Sequence, residues 1–399
     1  MKSGWQTSTL GDVLAVLRNG VNCKQDKSGN GDRISRIESI SDATFDLDKV
    51  GYAELSERDK EKNRLQPGDI LFSHINSVVH VGKTAVFDCD EQVYHGVNLL
   101  LMRPKEVVTS AYLNLALKYL FQSGYWRGVC KQSVNQASVN QQDISRVEIC
   151  YPKSIPEQHR IVAILDDAFD GIATAKANAE KNLQNARALF ESYLQSVFTE
   201  RGEGWVDRTL DQVCIVERGS SPRPIKNFFT TAPDGVNWIK IGDTEAGGKY
   251  VFATAQKITP EGAKQSRHVK EGDFILTNSM SLGRPYIMKT DGCIHDGWFV
   301  LRLRESIDSE FFYYLLSSSY VQGQFHRLAA GAIVKNISGD LVKKTVLPIP
   351  PLSQQHKLAE QFVGFSEETQ RLEAIYQQKL AALDDLKKSL LHQAFSGQL

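Results

Sequence analysis

A glycine–lysine pair at Gly82 and Lys83 is the first pattern in the chain that suggests nucleotide chemistry. A phosphate-binding loop also needs a glycine five positions before such a pair, and this sequence has Ser77 there. The corresponding pair later in the chain, Gly283 and Arg284, is followed by a proline and cannot form that loop. A basic residue at a strand turn is therefore the favoured interpretation. A nucleotide-dependent enzyme that uses Lys83 stays open as an alternative.

Other catalytic patterns are missing from the sequence. No glycine-rich dinucleotide fingerprint opens a helix, no Asn/Asp-Pro-Pro-aromatic run occurs, and no Asp with a Glu-x-Lys nuclease cluster is evident. His95 and His295 occupy matching positions, but a lone histidine is more often a core or turn residue than a catalyst. We therefore expect no catalytic site and no metal site in this chain.

Polar loops offer a different chemistry, the recognition of nucleic acid. Arg, Lys, Asn, Gln and Ser supply donors and acceptors at the reach that base edges require, and Lys, Arg and hydroxyl groups bind phosphates. Loops are polar on most proteins, so for any one residue a purely structural role is an even alternative. The candidate DNA-binding residues are Arg18, Asn19, Asn22, Lys24, Gln25, Arg36, Ser73, His74, Asn76, Ser77, Lys83, Gln132, Asn135, Gln136, Ser220, Ser221, Arg223, Lys226, Lys240, Asn278, Ser279, Ser281, Arg284, Lys335 and Asn336.

Two long amphipathic helices are the elements that must position these loops. The first is predicted over 157–200, because apolar residues recur there at steps of three and four. At 1.5 Å per residue it is about 65 Å long, so it needs a partner helix along most of its length. The second is predicted over 354–395 and matches the first without gaps, 197 positions later. The predicted contacts between them involve Ile161, Leu165, Ile172, Leu183, Tyr193, Leu358, Phe362, Leu372, Leu383 and Leu390.

The segments that precede the two helices also repeat. The shared features are a Trp-x4-Leu opening, a polar turn, a glycine turn before an apolar strand, and a histidine before another strand. The matching positions are Trp5 and Trp205, Leu10 and Leu210, 67–71 and 271–275, and His95 and His295. Many short strands, glycine turns and one or two helices in each copy are typical of an α+β fold.

The repeat predicts a chain of two globules, each followed by a long helix. We expect a first globule at 1–152, a central helix at 153–203, a second globule at 204–350 and a C-terminal helix at 351–399. The fold class is then α+β, with two repeated globules separated by two helices. The helices are expected to form an antiparallel coiled coil with pseudo-twofold symmetry, because each follows an equivalent globule.

Composition narrows the class of protein. A chain of 399 residues suggests two or three domains, and its formal net charge of zero counts against a protein that binds DNA alone. Six scattered cysteines without a C-x-x-C pair argue against zinc and disulfides. No apolar run reaches the length of a membrane span, and the N-terminal residues lack the apolar segment of a secretory signal. A cytoplasmic protein is therefore expected.

Four motifs together resemble the specificity (S) subunit of type I restriction-modification systems. They are the repeated Trp-x4-Leu openings, the Gly-Ser-Ser-Pro-Arg-Pro turn at 219–224, the Pro-Gly-Asp-Ile-Leu strand at 67–71 and the proline-rich run 347–352 before a long helix. The resemblance covers essentially the whole chain. The first copy departs from it at 151–156, a degraded form of that run, and at 18–20, which lacks the prolines.

The resemblance implies a division of labour between subunits. Two target recognition domains each read one half of a split double-stranded DNA sequence, and the paired helices act as a ruler and as the docking site for two methyltransferase (M) subunits. Restriction and translocation (R) subunits complete the complex. S-adenosylmethionine, ATP and Mg²⁺ are implied in those partner subunits, with no cofactor bound by this chain. A coiled-coil scaffold with peptide-binding globules remains a further alternative.

Overall fold

The computed structural model describes residues 4–133, 136–245, 247–278, 282–329, 338–396 and 398. The chain divides into two units. The first unit comprises Met1–Ala179 and Gln378–Leu399, and the second comprises Glu180–Gln377. Each unit therefore contains one globule together with part of each of the two long helices.

The first unit consists of short strands and helices, as its sequence predicts. Its strands are β1 (Trp5–Thr9), β2 (Leu14–Asn19), β3 (Asp32–Ile34), β4 (Gly51–Ala53), β5 (Asp69–Phe72), β6 (Ile75–Asn76), β7 (Thr84–Phe87), β8 (Leu100–Pro104), β9 (Lys131–Ser133), β10 (Gln136–Ser138) and β11 (Glu148–Pro152). Its helices are α1 (Leu10–Val13), α2 (Glu57–Asn63), α3 (Ser110–Gln122), α4 (Tyr125–Val129), α5 (Gln141–Ser145) and the first part of α6 (Ile155–Glu200). Two 3-10 turns lie at Glu38–Ile40 and Leu47–Lys49.

The second unit repeats this plan with one more strand. Its strands are β12 (Val206–Thr209), β13 (Cys214–Arg218), β14 (Phe229–Thr230), β15 (Val236–Ile239), β16 (Tyr250–Val251), β17 (Gln256–Ile258), β18 (Arg267–Val269), β19 (Phe274–Thr277), β20 (Pro285–Met288), β21 (Gly292–Ile294), β22 (Trp298–Leu303) and β23 (Val346–Ile349). Its helices are α7 (Leu210–Val213), α8 (Pro260–Lys264), α9 (Ser309–Ser317), α10 (Ser319–Ala329), α11 (Gly339–Lys343) and the first part of α12 (Leu352–Phe395). Two 3-10 turns lie at Ile225–Phe228 and Ile241–Asp243.

The first and last strands of each globule pair with each other. β1 pairs antiparallel with β11, and β12 pairs antiparallel with β23. Thr9 and Thr209 end the two first strands and form capping boxes with Asp12 and Gln212, so that each is followed by one helical turn. The repeated Thr-Leu opening of the sequence is therefore a strand end followed by a capped turn of helix.

Each globule contains a sheet that is buried on both faces. The strand order is β2-β8-β5-β7 in the first unit and β13-β22-β19-β20-β16 in the second. Alternate side chains of a strand point to opposite faces, and accordingly Ile70 and Phe72 of β5 pack into one core while Leu71 packs into another. β19 divides its side chains between two cores in the same way. Burial on both faces explains why these strands read as continuous apolar runs.

A repeat-matched glutamine attaches each long helix to its globule. Gln158 of α6 is fully buried, and its side-chain oxygen accepts a hydrogen bond at 2.8 Å from the backbone N–H of Thr109, which caps α3. Its side-chain nitrogen donates to the carbonyl of Pro152 at 2.9 Å. Gln355 makes the equivalent pair of bonds: its side-chain oxygen accepts from the backbone N–H of Asp308, and its side-chain nitrogen donates to the carbonyl of Pro350. The match between these two polar positions therefore reflects one structural joint that occurs twice.

The two long helices pack antiparallel within each unit. In the first unit Ile161 and Leu165 of α6 share a core with Leu391 of α12, and the Lys176 ammonium is 2.7 Å from the Asp384 carboxylate. In the second unit Phe198 shares a core with Phe362, and Arg187 pairs with Glu373 at 2.9 Å. In both units, contacts that lie later along α6 lie earlier along α12. The predicted antiparallel pairing is therefore confirmed.

The predicted helix contacts are buried to different extents. Ile161, Leu165, Ile172 and Phe362 are buried, and the remaining predicted positions are half-buried, namely Leu183, Tyr193, Leu358, Leu372, Leu383 and Leu390. Both helices also begin two residues earlier than predicted, at Ile155 and Leu352. Pro156 does not prevent this, because a proline in the first turn of a helix interrupts no hydrogen bond.

No helix in the described part of the chain combines the length and the apolar composition needed to cross a lipid bilayer.

Candidate nucleic-acid interface

The turn that follows β2 in the first unit is anchored by Arg18. Its guanidinium donates to the Asn63 side-chain oxygen at 2.8 Å and also to the carbonyl of Lys62 at the end of α2. Burial of the guanidinium lowers the pKa of Arg18 from its usual value. Arg18 thus fixes the start of the turn through contacts within the protein.

Asn19 is the centre of a neutral hydrogen-bond network that joins three loops. Its side-chain oxygen accepts from Gln141 at 2.7 Å, and its side-chain nitrogen donates to the carbonyl of Val97 at 3.2 Å. The same nitrogen lies 3.1 Å from Nε2 of His74. Burial lowers the pKa of His74 to about 4, so the imidazole is neutral at physiological pH and accepts this bond.

The other candidates in the first unit differ in their exposure. Asn22, Lys24, Gln132 and Gln136 are exposed, whereas Gln25, Arg36, Asn76, Ser77 and Lys83 are half-buried and Ser73 is buried with His74. Arg36 is paired with the Glu38 carboxylate at 3.2 Å. The exposed residues are the most accessible for the predicted DNA contacts, whereas the buried pair Ser73 and His74 contacts the loops of the protein itself.

A repeat-matched glycine and histidine form the base of each turn. A Cβ atom added to Gly20 would overlap the carbonyl of His95, and one added to Gly219 would overlap that of His295. His95 is completely buried, with Nε2 3.3 Å from the carbonyl of Arg18, and burial lowers its pKa to about 3. Burial also lowers the pKa of His295. These contacts fit the prediction that both histidines are structural residues.

The glycine–lysine pair at Gly82 and Lys83 is a packed turn and not a phosphate-binding loop. Gly82 has φ +95°, and a Cβ there would overlap the Trp126 ring. Its backbone N–H donates to the carbonyl of Ser73 at 2.9 Å, and the Lys83 ammonium donates to the carbonyl of Ser41 at 2.8 Å. A phosphate cradle needs free backbone N–H groups and a free lysine. The geometry therefore gives no support to a nucleotide-dependent enzyme that uses Lys83.

The turn after β13 in the second unit depends on a carboxylate. The Ser221 hydroxyl donates to Asp296 at 2.8 Å, and the Arg223 guanidinium lies 3.6 Å from the other oxygen of that carboxylate. Ser220 donates to the carbonyl of Gln265 at 3.3 Å. Lys226 is exposed at the end of the turn. This turn therefore presents an arginine, a lysine and a carboxylate, whereas the first turn presents the amide of Asn22 together with Lys24.

The remaining candidates in the second unit are less uniform. Asn278 is buried, and its backbone N–H donates to the carbonyl of Gly297 at 2.8 Å. Arg284 is half-buried with its guanidinium 5.4 Å from the centre of the Tyr286 ring, and Lys240 is also half-buried. Five predicted residues lie outside the described part of the chain: Asn135, Ser279, Ser281, Lys335 and Asn336.

Sequence reasoning missed three residues that shape these turns. Asn63 and Gln141 hold the first turn, and Asp296 holds the second. Asp296 follows the repeat-matched His295 directly, which was a usable signal, whereas nothing near Gln141 indicated its contact with Asn19. Within the described ranges, no cluster of three or more His, Cys, Asp or Glu side chains could hold a metal ion.

Comparison with known proteins places the chain in a family. The sequence model for the type I restriction modification DNA specificity domain matches it twice, over residues 2–184 and 202–381. A putative type I restriction enzyme MjaX specificity subunit from Methanocaldococcus jannaschii is 30% identical over 412 residues, covering 99% of this chain and 93% of the relative. The EcoKI specificity subunit from Escherichia coli is 26% identical over 196 residues, covering 48% of this chain and 41% of the relative.

Solved structures share the fold over the whole chain. A chain from a study of complex assembly and conformational transition in a type I R-M system has a TM-score of 0.81 at 17% identity, covering 100% of this chain and 99% of its own. The HsdS subunit from Thermoanaerobacter tengcongensis has a TM-score of 0.64 at 18% identity, covering 100% and 98%. At these identities the likeness concerns the fold alone.

Proposed function

The chain belongs to the type I restriction-modification DNA specificity family, and from that premise we propose that it selects a split DNA target, with one half-site read by each unit. The observation that carries the proposal is the repeat, because the family match occurs twice. Each match spans a turn-bearing globule and the adjoining part of a long helix. A chain built from two such readers suits a target of two separate half-sites.

The chemistry of the exposed candidate residues supports direct reading of bases and binding of phosphates. Asn22, Gln132 and Gln136 in the first unit carry amides, which pair well with adenine. Arg223 and Lys226 in the second unit carry charges, which suit guanine or phosphate. Because the two turns differ in residue type, the two half-sites are expected to differ in sequence.

Charge balance supports binding to DNA as part of a complex. Residues 1–150 contain 18 basic and 18 acidic side chains, and residues 204–350 contain 18 basic and 15 acidic ones. Affinity for duplex DNA comes mainly from neutralised phosphates, and this chain supplies little surplus charge for that. We assign much of the phosphate binding to two M subunits and to R subunits, which would also bind S-adenosylmethionine, ATP and Mg²⁺. In this proposal the chain itself is not catalytic.

The long helices suit the task of fixing the distance between half-sites. Each helix contributes to both units and is joined to the globule that precedes it by equivalent buried glutamine bonds. A rigid joint of this kind transmits the position of the helix to the reading turns. The spacer between the half-sites is therefore expected to have one fixed length.

The direct test is a methylation map of cells that express this chain together with its partner subunits. We expect one split target with a fixed spacer, and no modified sites when this chain is omitted. Gel-shift assays of the assembled complex on random duplexes separate the alternatives. Failure of every complex to bind DNA would favour the coiled-coil scaffold and exclude the proposed role.

A further inference from the structure

Asp296 contacts two of the residues that we expect to face DNA. It lies between β21 and β22 and accepts a hydrogen bond from the Ser221 hydroxyl at 2.8 Å. Its second oxygen is 3.6 Å from a terminal nitrogen of Arg223. The Ser221 hydroxyl lowers the pKa of the Asp296 carboxyl group, so the carboxylate is ionised at neutral pH.

The backbone that carries Asp296 is held firmly by the rest of the unit. The N–H of Gly219 donates to the carbonyl of Trp298 at 2.8 Å, and the N–H of Ser220 donates to that of Ile294 at 3.3 Å. The Arg218 side chain donates to the carbonyl of Asp296 itself at 3.2 Å. These bonds hold the backbone around Asp296 next to the start of the turn at 218–220, and the Ser221 hydroxyl contacts the carboxylate itself.

A carboxylate is unexpected on a surface that meets phosphates. It repels the DNA backbone and offsets the charge of the neighbouring guanidinium, which makes Arg223 a poor phosphate ligand. A bidentate contact with guanine depends on the planar arrangement of the guanidinium N–H donors and not on net charge alone. At 3.6 Å the contact with Asp296 is an ion pair without a short hydrogen bond, so the donors of Arg223 stay available.

We infer that Arg223, oriented by Asp296, reads a guanine in the second half-site and does not bind a phosphate. Asp296 is then a positioning residue for specificity. The inference rests on the proposed function and deepens it, because it assigns a base contact to one residue of the turn. It is confined to the second unit, since Gly96 occupies the position that corresponds to Asp296 in the first. The Arg223 side chain is 81% exposed and that of Asp296 48% exposed, so both can be replaced without opening the core.

The test uses the full chain assembled with its partner subunits, and the variants Arg223→Ala, Arg223→Lys and Asp296→Asn. Binding to a randomised target library reports the preferred sequence, and the dependence of affinity on salt reports the number of phosphate contacts. All three variants should relax the preference for guanine at one position of the second half-site. Discrimination there should fall roughly 10- to 100-fold, while the first half-site stays unchanged.

Salt dependence distinguishes the two kinds of contact. If Arg223 reads a base, Arg223→Ala leaves the slope of log affinity against log salt unchanged. If Arg223 binds a phosphate, the slope falls by about 0.9 and the preferred sequence is retained, which would overturn the inference. Asp234→Asn, an exposed acid in the same unit, controls for the loss of one negative charge and should not change the preferred sequence.

The outcomes also separate this inference from the function on which it rests. If the complex still selects two half-sites and all three variants keep the guanine preference, only the role assigned to Arg223 is contradicted. A change in the first half-site, or no sequence selection in the parent complex, would instead contradict the proposed function. Unchanged thermal midpoints for the variants confirm that the fold is intact.

Discussion

The turns of the two units stand on the same base and present different chemistry. In the first unit Asn19 forms hydrogen bonds with the uncharged side chains of Gln141 and His74. In the second unit the Asp296 carboxylate accepts a hydrogen bond from Ser221 and forms an ion pair with Arg223. Beneath both turns a glycine packs against the carbonyl of a repeat-matched histidine. The comparison shows that the base of each turn depends on buried backbone contacts, and in the proposed function the reading of DNA depends on a few side chains above that base.

Repeat-matched residues that are buried in both units can be substituted in pairs. Equivalent effects of the two substitutions would show that the two units are one fold used twice. Substitutions of turn residues that differ between the units test whether those residues determine the half-sites.

The largest effects are expected at the buried apolar residues of the two long helices. Leu165 and Phe362 are repeat-matched and fully buried in the first and second units. Leu165→Ala should lower the free energy of unfolding of its unit by about 2–5 kcal/mol and Phe362→Ala by about 3–5 kcal/mol, measured by denaturant unfolding. Leu189→Ala is the matched control on α6, since Leu189 is 61% exposed and its loss should cost under about 0.5 kcal/mol. Equal effects for all three variants would contradict the assignment of Leu165 and Phe362 to the buried apolar face of their helices.

The glutamine joints should show the next largest effect. Gln158→Met and Gln355→Met keep side-chain volume but leave buried backbone groups without partners. Each should cost about 1–3 kcal/mol for each unsatisfied group and should loosen the globule from its helix, measured by hydrogen exchange of β11 and β23. Gln184→Met, at an exposed position of α6, is the control. Loss of protection in one unit only would show that the two joints are not equivalent.

Acid sensitivity should be associated with the buried imidazole of His95. Its pKa falls from 6.5 to about 3 on folding because of burial, so the folded state favours the neutral ring. The contribution of the neutral His95 ring to the free energy of unfolding is complete above pH 6.5. It is lost as the pH falls towards 3, by up to about 1.4 kcal/mol per pH unit. His95→Gln should flatten the pH dependence of the thermal midpoint between pH 6.5 and 4.5. An unchanged pH dependence in the variant would show that other groups determine it.

The smallest effects are expected at exposed lysines in the turns. Lys24 and Lys226 are exposed in the first and second units, and each suits a phosphate contact. Lys24→Ala and Lys226→Ala should each lower the salt slope of DNA binding by about 0.9 without changing either half-site. A change of preferred sequence would instead identify that lysine as a base contact.

The sequence was sufficient to predict the frame but not the roles of individual polar residues. The repeat, both helices and their pairing follow from local patterns such as the spacing of apolar residues. The Asn19 side chain accepts a hydrogen bond from Gln141, which is 122 positions away, and the Ser221 hydroxyl donates to Asp296, which is 75 positions away. Such contacts arise only when the chain is folded, so a polar residue that supports a loop cannot be told from one that faces a ligand by its type alone.

The central claim is that the two units are equivalent readers on a common frame. A chain in which residues 204–350 are replaced by a second copy of 4–152 tests it directly, because equivalent readers should be able to take each other's place before the C-terminal helix. With the partner subunits present, the methylation map should show a split target in which both half-sites have the sequence of the first. A second half-site that keeps its original sequence would contradict the account.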